Sequence, residues 1–259
     1  MVRGIDVFTK FFEQYPDNYV IIGGTACDII VSESGFRPRA TKDIDIILVV
    51  EALDSAFARQ FWNFVNEGKY EVREKSDPER QYYRFMKPED TGFPYQIELF
   101  SRVPDILDVP EQSRYTPIPI DEDITSLSAI LMNEDYYRFT IAGSNIQDGI
   151  RIANIETLIC LKARAYIDLK AAKERGEKID SDKINTHKLD VFRLAVFLTE
   201  DNLFELPESI KADLQAYADI LKTDLPGNAI FKEMGLGNIN VEQVFNQLIQ
   251  NFNLTTNGK

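Results

Sequence analysis

Asn18-Tyr19-Val20-Ile21-Ile22-Gly23-Gly24-Thr25-Ala26-Cys27-Asp28-Ile29-Ile30-Val31 is the stretch on which the reading of this chain turns. Asn18–Ile22 is short and apolar, which reads as a strand, and Gly23-Gly24 closes it. Thr25–Val31 then reads as a short helix, with Thr25 placed to cap its start. A strand that turns through two glycines into a helix offers unpaired backbone N–H groups and the positive end of the helix dipole. Glycine also lets a ligand approach the backbone closely. Such a turn suits a phosphate, and it is also found as a plain turn. It is neither the dinucleotide pattern, because no third glycine follows, nor the Walker pattern, because no Gly-Lys-Ser/Thr is present.

Eighteen residues downstream of Thr25, counting in the sequence, stands Asp43-Ile44-Asp45, at the start of a strongly apolar strand reading Ile44–Val50. Residues two apart on a strand point to the same side. Two carboxylates so placed repel unless a positive charge sits between them. A divalent cation with a preference for hard oxygen ligands, Mg²⁺ above all, meets that need. Arg37, Arg39 and Lys42 are close in sequence and offer the alternative of salt bridging. A third carboxylate, Glu98, lies in the apolar run Gln96-Ile97-Glu98-Leu99-Phe100, on the strand face opposite Ile97 and Leu99. The other reading of Glu98 is an exposed strand face. Three carboxylates holding two metal ions are able to activate a hydroxyl and stabilise a leaving pyrophosphate.

Outward from these residues, 3–14 has the periodicity of an amphipathic helix and Leu53–Val65 that of a second. Three strand-like runs follow, Tyr70–Arg73, Gln81–Met86 and Tyr95–Phe100, separated by Asp77-Pro78 and by Pro88–Pro94. Arg102–Ile120 is Pro-rich and irregular. Shorter pieces sit at Ser126–Leu131 and Tyr136–Ile141, turns at Gly143 and Gly149, and a last strand at Ile150–Ile152. From Ile155 the pattern becomes helical: Ile155–Arg175 ending at Gly176, then Lys183–Leu198, Pro207–Leu221 and Val241–Phe252. The tail Thr255–Lys259 reads as frayed. The sequence thus predicts an α+β first part, residues 1–153, and a helical second part, residues 154–259.

The chain has 259 residues, enough for one large or two small cores. Its net charge of −13 argues against broad binding of a phosphate backbone, which depends on Lys and Arg, while leaving room for a local basic groove or a basic partner. Cys27 and Cys160, far apart and set in apolar stretches, read as buried thiols, and with a lone histidine they exclude a zinc pattern. Residues 1–15 interleave charge with apolar residues, unlike a signal peptide, and no apolar run reaches membrane-spanning length. The expected location is cytoplasmic.

Taken jointly, Gly23-Gly24-Thr25-Ala26 and Arg39-Ala40-Thr41-Lys42-Asp43-Ile44-Asp45 resemble the Gly-Gly-Thr-Ala … Arg-x-Thr-x-Asp-Ile/Leu-Asp pattern of the AbiEii/AbiGii-like branch of the nucleotidyltransferase superfamily, polymerase-β type. Lys162, in Ile155–Arg164, and the run Lys183 … His187-Lys188-Leu189-Asp190-Val191 resemble two further motifs of that branch. The resemblance implies a nucleotidyltransferase-type mixed sheet flanked by helices, followed by a helical C-terminal domain closing over the nucleotide. By position, Gly23, Gly24 and Thr25, with Arg39 and Thr41, would bind the nucleotide triphosphate. Asp43, Asp45 and Glu98 would hold Mg²⁺, two ions in all. Lys162 would bind triphosphate oxygens, His187 would contact the nucleotide, and Asp190 would orient the lysine or meet the nucleotide. The implied activity is transfer of a nucleoside monophosphate from an NTP to a hydroxyl of an RNA such as tRNA, or of a protein. The implied setting is a bacterial toxin–antitoxin or phage-defence module, with an antitoxin protein as partner and no membrane. The acidic charge balance keeps a small polycationic acceptor of the aminoglycoside kind open, and a non-catalytic nucleotide-binding partner protein is the third reading. Arg102–Ile152 matches none of the branch's motifs.

Overall fold

The computed structural model describes residues 2–74, 81–101, 116–117, 130–131 and 133–255. Most of the irregular run 102–120, the piece 126–131 apart from Ile130 and Leu131, and the tail beyond residue 255 lie outside the described residues. The chain forms two compact units. The first comprises Met1–Ile29, Ala40–Asp121 and Thr140–Asn154; the second comprises Ile30–Arg39, Glu122–Phe139 and Ile155–Lys259.

The first unit is built on one eight-stranded mixed sheet. Its strands are β1 (Tyr19–Ile22), β2 (Asp43–Leu48), β3 (Glu71–Glu74), β4 (Gln81–Met86), β5 (Gln96–Ser101), β6 (Thr116–Pro117), β7 (Ser144–Gln147) and β8 (Ile150–Ala153). The spatial order is β6-β3-β4-β5-β2-β1-β8-β7. β1 runs antiparallel to β2, β2 parallel to β5, and β5 antiparallel to β4. Helices α1 (Ile5–Phe12) and α3 (Ser55–Gly68) pack their apolar stripes on this sheet, and α2 (Gly23–Glu33) leaves directly from β1. The α+β class expected from the sequence is the class observed.

Alternation along the strands gives the sheet two chemically different faces. Tyr19, Phe85 and their neighbours turn to α1 and α3. Phe8 packs edge-on against Tyr19 at 5.4 Å, Phe12 lies 5.9 Å from Phe61, and Phe61 packs on Phe85 at 5.3 Å. Phe8, Phe12, Phe57, Phe61 and Phe64 are all nearly fully buried. At about 1.5–3 kcal/mol for each fully buried large apolar side chain, this aromatic cluster anchors the unit. By register, Asp43, Asp45, Gln96, Glu98 and Arg84 share the opposite face. The fold places its charges away from the aromatic core.

Several boundaries differ from those read in the sequence, each for a local reason. α2 starts at Gly23 and not at Thr25, because Gly23 takes a positive φ of 67° and itself makes the corner. α3 starts at Ser55, where the Asp54 carboxylate caps it by accepting the N–H groups of Ala56 (2.9 Å) and Phe57 (2.8 Å). β7, Ser-Asn-Ile-Gln, is polar and was not expected as a strand; it is ordered by pairing with β8.

The second unit is helical. It contains the end of α2, most of α4 (Glu134–Ala142), and then α5 (Ile155–Glu174), α6 (Ser181–Ala195), α7 (Glu208–Leu221), the short α8 (Ala229–Glu233) and α9 (Val241–Asn251). α5 ends before Gly176, whose φ of 92° stops the helix as its sequence suggested. α6 is capped by the Asp180 carboxylate, which accepts the Asp182 N–H at 2.9 Å. Tyr136 donates to Asp213 at 2.9 Å and Arg164 reaches the same carboxylate at 2.7 Å, tying α4, α5 and α7 together. Cys27 and Cys160 are both buried. Among the described residues no helix is long and apolar enough to cross a membrane.

Candidate functional site

In the first unit the glycine turn and the acidic pair are brought into contact. β1 and β2 are antiparallel with Ile22 opposite Asp45, so the residue just before the turn pairs with the second aspartate. A Cβ placed on Gly23 would lie 1.8 Å from Asp45 Oδ2 and 2.7 Å from its Cγ. The Asp45 carboxylate therefore occupies the space a side chain would fill. Gly23 is required twice over, for its positive φ and for this close approach. Gly24 follows within the first turn of α2, where helix N–H groups start out unpaired.

Thr25 does not cap α2. Its hydroxyl donates to the backbone carbonyl of Asp43 at 2.5 Å, and the residue is fully buried. It pins the start of β2 to the start of α2. A second pin was not anticipated: the buried Asp28 carboxylate accepts the Thr41 N–H at 2.5 Å. Immediately before Thr41, Ala40 takes a left-handed φ of 66°. Thr41 thus contributes its backbone to the loop that delivers Asp43.

β2 and β5 run parallel with Asp43 opposite Gln96 and Asp45 opposite Glu98. Glu98 stands beside the acidic pair on the same face. It is buried; Arg84 Nε donates to its Oε1 at 2.9 Å with Nη2 lying 2.8 Å from the same oxygen, and Gln96 Nε2 donates to that oxygen at 2.7 Å. Burial first, then Asp45, push the Glu98 carboxyl up to about 8; Asp43 adds to this and Arg84 opposes it. Among the described residues no three His, Cys, Asp or Glu side chains are gathered tightly enough to hold a metal ion as they stand. The donor set itself, two half-buried carboxylates beside a glycine turn with a third in register, has the hard-oxygen chemistry that suits Mg²⁺.

The remaining expected residues lie in the second unit, where they converge on Asp190, which is 1% exposed. Lys162 Nζ on α5 lies 3.0 Å from its Oδ2; Arg193 Nη1, one turn along α6, lies 2.9 Å from Oδ1; Arg39 Nε lies 3.6 Å from Oδ1. Burial alone would raise the Asp190 carboxyl, but Lys162, Arg39 and Arg193 outweigh it and hold it below its ordinary value. His187 shares the cluster, its Nδ1 sealed from solvent with no hydrogen-bond partner among the described residues. Burial, then Lys162, press its pKa down to about 3 against the pull of Asp190, with Arg39 and Lys183 adding to the depression, so the imidazole is neutral near pH 7. Three cations around one carboxylate leave an excess of positive charge, which suits phosphate oxygens.

Sequence reasoning missed Asp28, Arg84, Gln96 and Arg193 as members of these groups. Arg193 was accessible, three residues after Asp190 on a helix. Arg84 was not, because only the β4–β5 register puts it opposite Glu98.

Gly23→Ala follows as a test of the turn. A left-handed residue other than glycine costs about 1–2 kcal/mol, and the new methyl group would drive the Asp45 carboxylate away. Thermal unfolding is expected to show a loss of at least that size. Unchanged stability would mean that Gly23 and Asp45 are not in the contact described.

No family model and no curated protein matches the sequence. A search of solved structures matches the crystal structure of an antigenic nucleotidyltransferase-like protein from Paracoccidioides brasiliensis. That chain is 13% identical, with 95% of this chain and 99% of that chain covered and a TM-score of 0.43.

Proposed function

We propose that this chain is a Mg²⁺-dependent nucleotidyltransferase that moves a nucleoside monophosphate from an NTP to a hydroxyl of an RNA such as tRNA, or of a protein, within a bacterial toxin–antitoxin or phage-defence module. The observation that carries the reading is the Asp45 carboxylate seated against Gly23 at the start of α2. It brings the acidic pair and the glycine turn to one spot, which neither motif alone requires, and this supports reading the turn as a phosphate cradle.

In this reading the α2 start, Gly23 and Gly24, receives phosphate oxygens on backbone N–H groups. Thr25 and Asp28 serve as pins, holding the Arg39–Asp45 loop so that Asp43 and Asp45 present their carboxylates. Asp43 and Asp45 would hold the Mg²⁺, and Glu98 would contribute as ligand or base. Bound Mg²⁺ supplies a lowered pKa for the acceptor hydroxyl and neutralises charge on the leaving pyrophosphate. The acceptor oxygen forms its bond to the α-phosphorus as the α–β bridging bond breaks, and the hydroxyl proton is lost to the carboxylate face. Within the second unit, Asp190 sets the position of Lys162 beside Arg39 and Arg193, a cluster whose excess positive charge suits phosphate oxygens, with neutral His187 in the same cluster. An antitoxin is the protein partner this reading expects.

The net charge of −13 favours a second reading of the acceptor, a small polycation of the aminoglycoside kind. Incubation with each labelled NTP and Mg²⁺, in the presence of total tRNA or of aminoglycosides, separates the two. Label on tRNA with release of pyrophosphate is the expected result. Label on the aminoglycoside alone supports the second reading, and no pyrophosphate with any NTP or acceptor contradicts both.

A further inference from the structure

We propose that Arg193 is a positioning residue: it fixes the Asp190 carboxylate through Oδ1, and Asp190 in turn holds the Lys162 ammonium through Oδ2. The inference rests on the reading of this cluster as one that takes phosphate oxygens of a nucleotide. It gives Arg193 an action through Lys162 and not a contact of its own with the nucleotide.

The two oxygens of the Asp190 carboxylate have different partners. Arg193 Nη1 donates to Oδ1 at 2.9 Å, with Arg39 Nε 3.6 Å from the same oxygen, and Lys162 Nζ lies 3.0 Å from Oδ2. The terminal torsion of an aspartate is broad and roughly two-fold, so a carboxylate needs a fixed donor to keep one chosen oxygen on one neighbour. Arg193 supplies that donor from the same helix. It stands three residues after Asp190 on α6, where side chains at this spacing face each other, so the contact is set within one helical turn. Lys162 comes from another helix, α5, on a flexible four-carbon stem. Asp190 and Lys162 are 1% and 7% exposed and the Arg193 side chain 12%, so water does not readily take over these contacts. Arg193 also counts among the charges that keep Asp190 ionised against its burial.

Two other roles for Arg193 predict different results. As a direct contact for phosphate, it would contribute to affinity whether or not Lys162 is present. As a plain ion pair within α6, it would change the melting temperature and leave nucleotide affinity alone. A positioning role predicts a loss of affinity that vanishes once Lys162 is gone.

The test is calorimetric titration of the full chain with non-hydrolysable analogues of ATP, GTP, CTP and UTP, each with Mg²⁺ and well below the melting temperature. Arg193→Met is expected to weaken binding of the analogue that the parent binds by about 3–30-fold. Arg193→Lys, which keeps the charge but offers a compact donor in place of the planar fork, is expected to fall between it and the parent. In a Lys162→Met background Arg193→Met is expected to add no further loss. Where Lys162→Met binds too weakly to titrate, the same comparison in Asp190→Asn, which cuts the link from Arg193 to Lys162, decides. Should Arg193→Met fail to fold, Arg193→Gln is read by the same criterion. Affinity of Arg193→Met equal to the parent's, whatever its stability, overturns the proposal, and so does a loss that persists in Lys162→Met. Both of those results leave the nucleotidyltransferase reading standing. A parent that binds none of the four analogues, or a Lys162→Met protein that binds as the parent does, overturns the nucleotide reading of the cluster and the proposal with it.

Discussion

Replacing Asp43 and Asp45 together by asparagine is expected to abolish Mg²⁺-dependent NTP turnover while leaving the protein folded. Removing a single preorganised group at a site of developing charge costs about 100–1,000-fold in rate, and this pair would hold the metal that organises the whole reaction. A residual rate below about a thousandth of the parent's is therefore the expectation. Stability should move the other way. The two carboxylates share a strand face with Glu98, and their charges act on it strongly enough to raise its pKa. Asparagine keeps the shape and removes the repulsion, so the melting temperature in chelator is expected to hold or rise. Loss of activity with retained stability is the pattern of residues kept for chemistry at a cost to the fold. Turnover equal to the parent's would end the catalytic assignment of the pair, and a large drop in melting temperature would recast Asp43 and Asp45 as structural.

Asp190→Asn is expected to have the largest effect on stability. Asp190 is 1% exposed and meets Lys162 at 3.0 Å, Arg193 at 2.9 Å and Arg39 at 3.6 Å. Removing the carboxylate leaves buried and half-buried cations without their counter-charge, and breaking a buried pair from one side typically costs about 3–5 kcal/mol. Against a total of about 5–15 kcal/mol for an ordinary domain, that is a major loss. Adding Lys162→Met to Asp190→Asn should recover part of it, because the stranded ammonium goes too; chemical denaturation of the four proteins in a double-mutant cycle measures the coupling. The pH dependence has the same origin. The Asp190 carboxyl is held below its ordinary 3.8 in the folded chain, so its contribution is complete above that value and is lost as pH falls through the lower, folded value. The parent should show an acid-side loss of stability that Asp190→Asn lacks. Equal stability of Asp190→Asn and the parent would contradict the cluster.

How much of this could be read from the sequence depends on whether the signal was local. The strand–glycine–helix passage at 18–31 was legible because apolar pattern and glycine act over a few residues. The long α5 and its stop at Gly176 were legible for the same reason. Thr25 was misread, because a hydroxyl at a helix start ordinarily caps it; here the nearer acceptor is the Asp43 carbonyl, brought up by β1–β2 pairing. Asp28 looked like an ordinary charged helix residue, and its role depends on the Thr41 N–H thirteen positions away. Arg84 could not be tied to Glu98 without the β4–β5 register, which a one-residue slip would reverse. The placement of Ile30–Arg39 in the helical unit is likewise long-range, resting on contacts such as Arg37 N–H to the Met234 carbonyl at 2.9 Å and Phe36 on Phe197 at 5.7 Å. The polar strand β7 and the five-residue α8 gave no periodicity to read.

The account stands most directly on binding of an NTP through the metal at the Gly23–Asp45 contact. Calorimetric titration of a non-hydrolysable NTP into the full chain, with Mg²⁺ and then with chelator, measures it. The account predicts saturable binding that requires Mg²⁺ and is lost in Asp43→Asn/Asp45→Asn. Binding of equal strength with and without Mg²⁺, or in the parent and that variant alike, would contradict it.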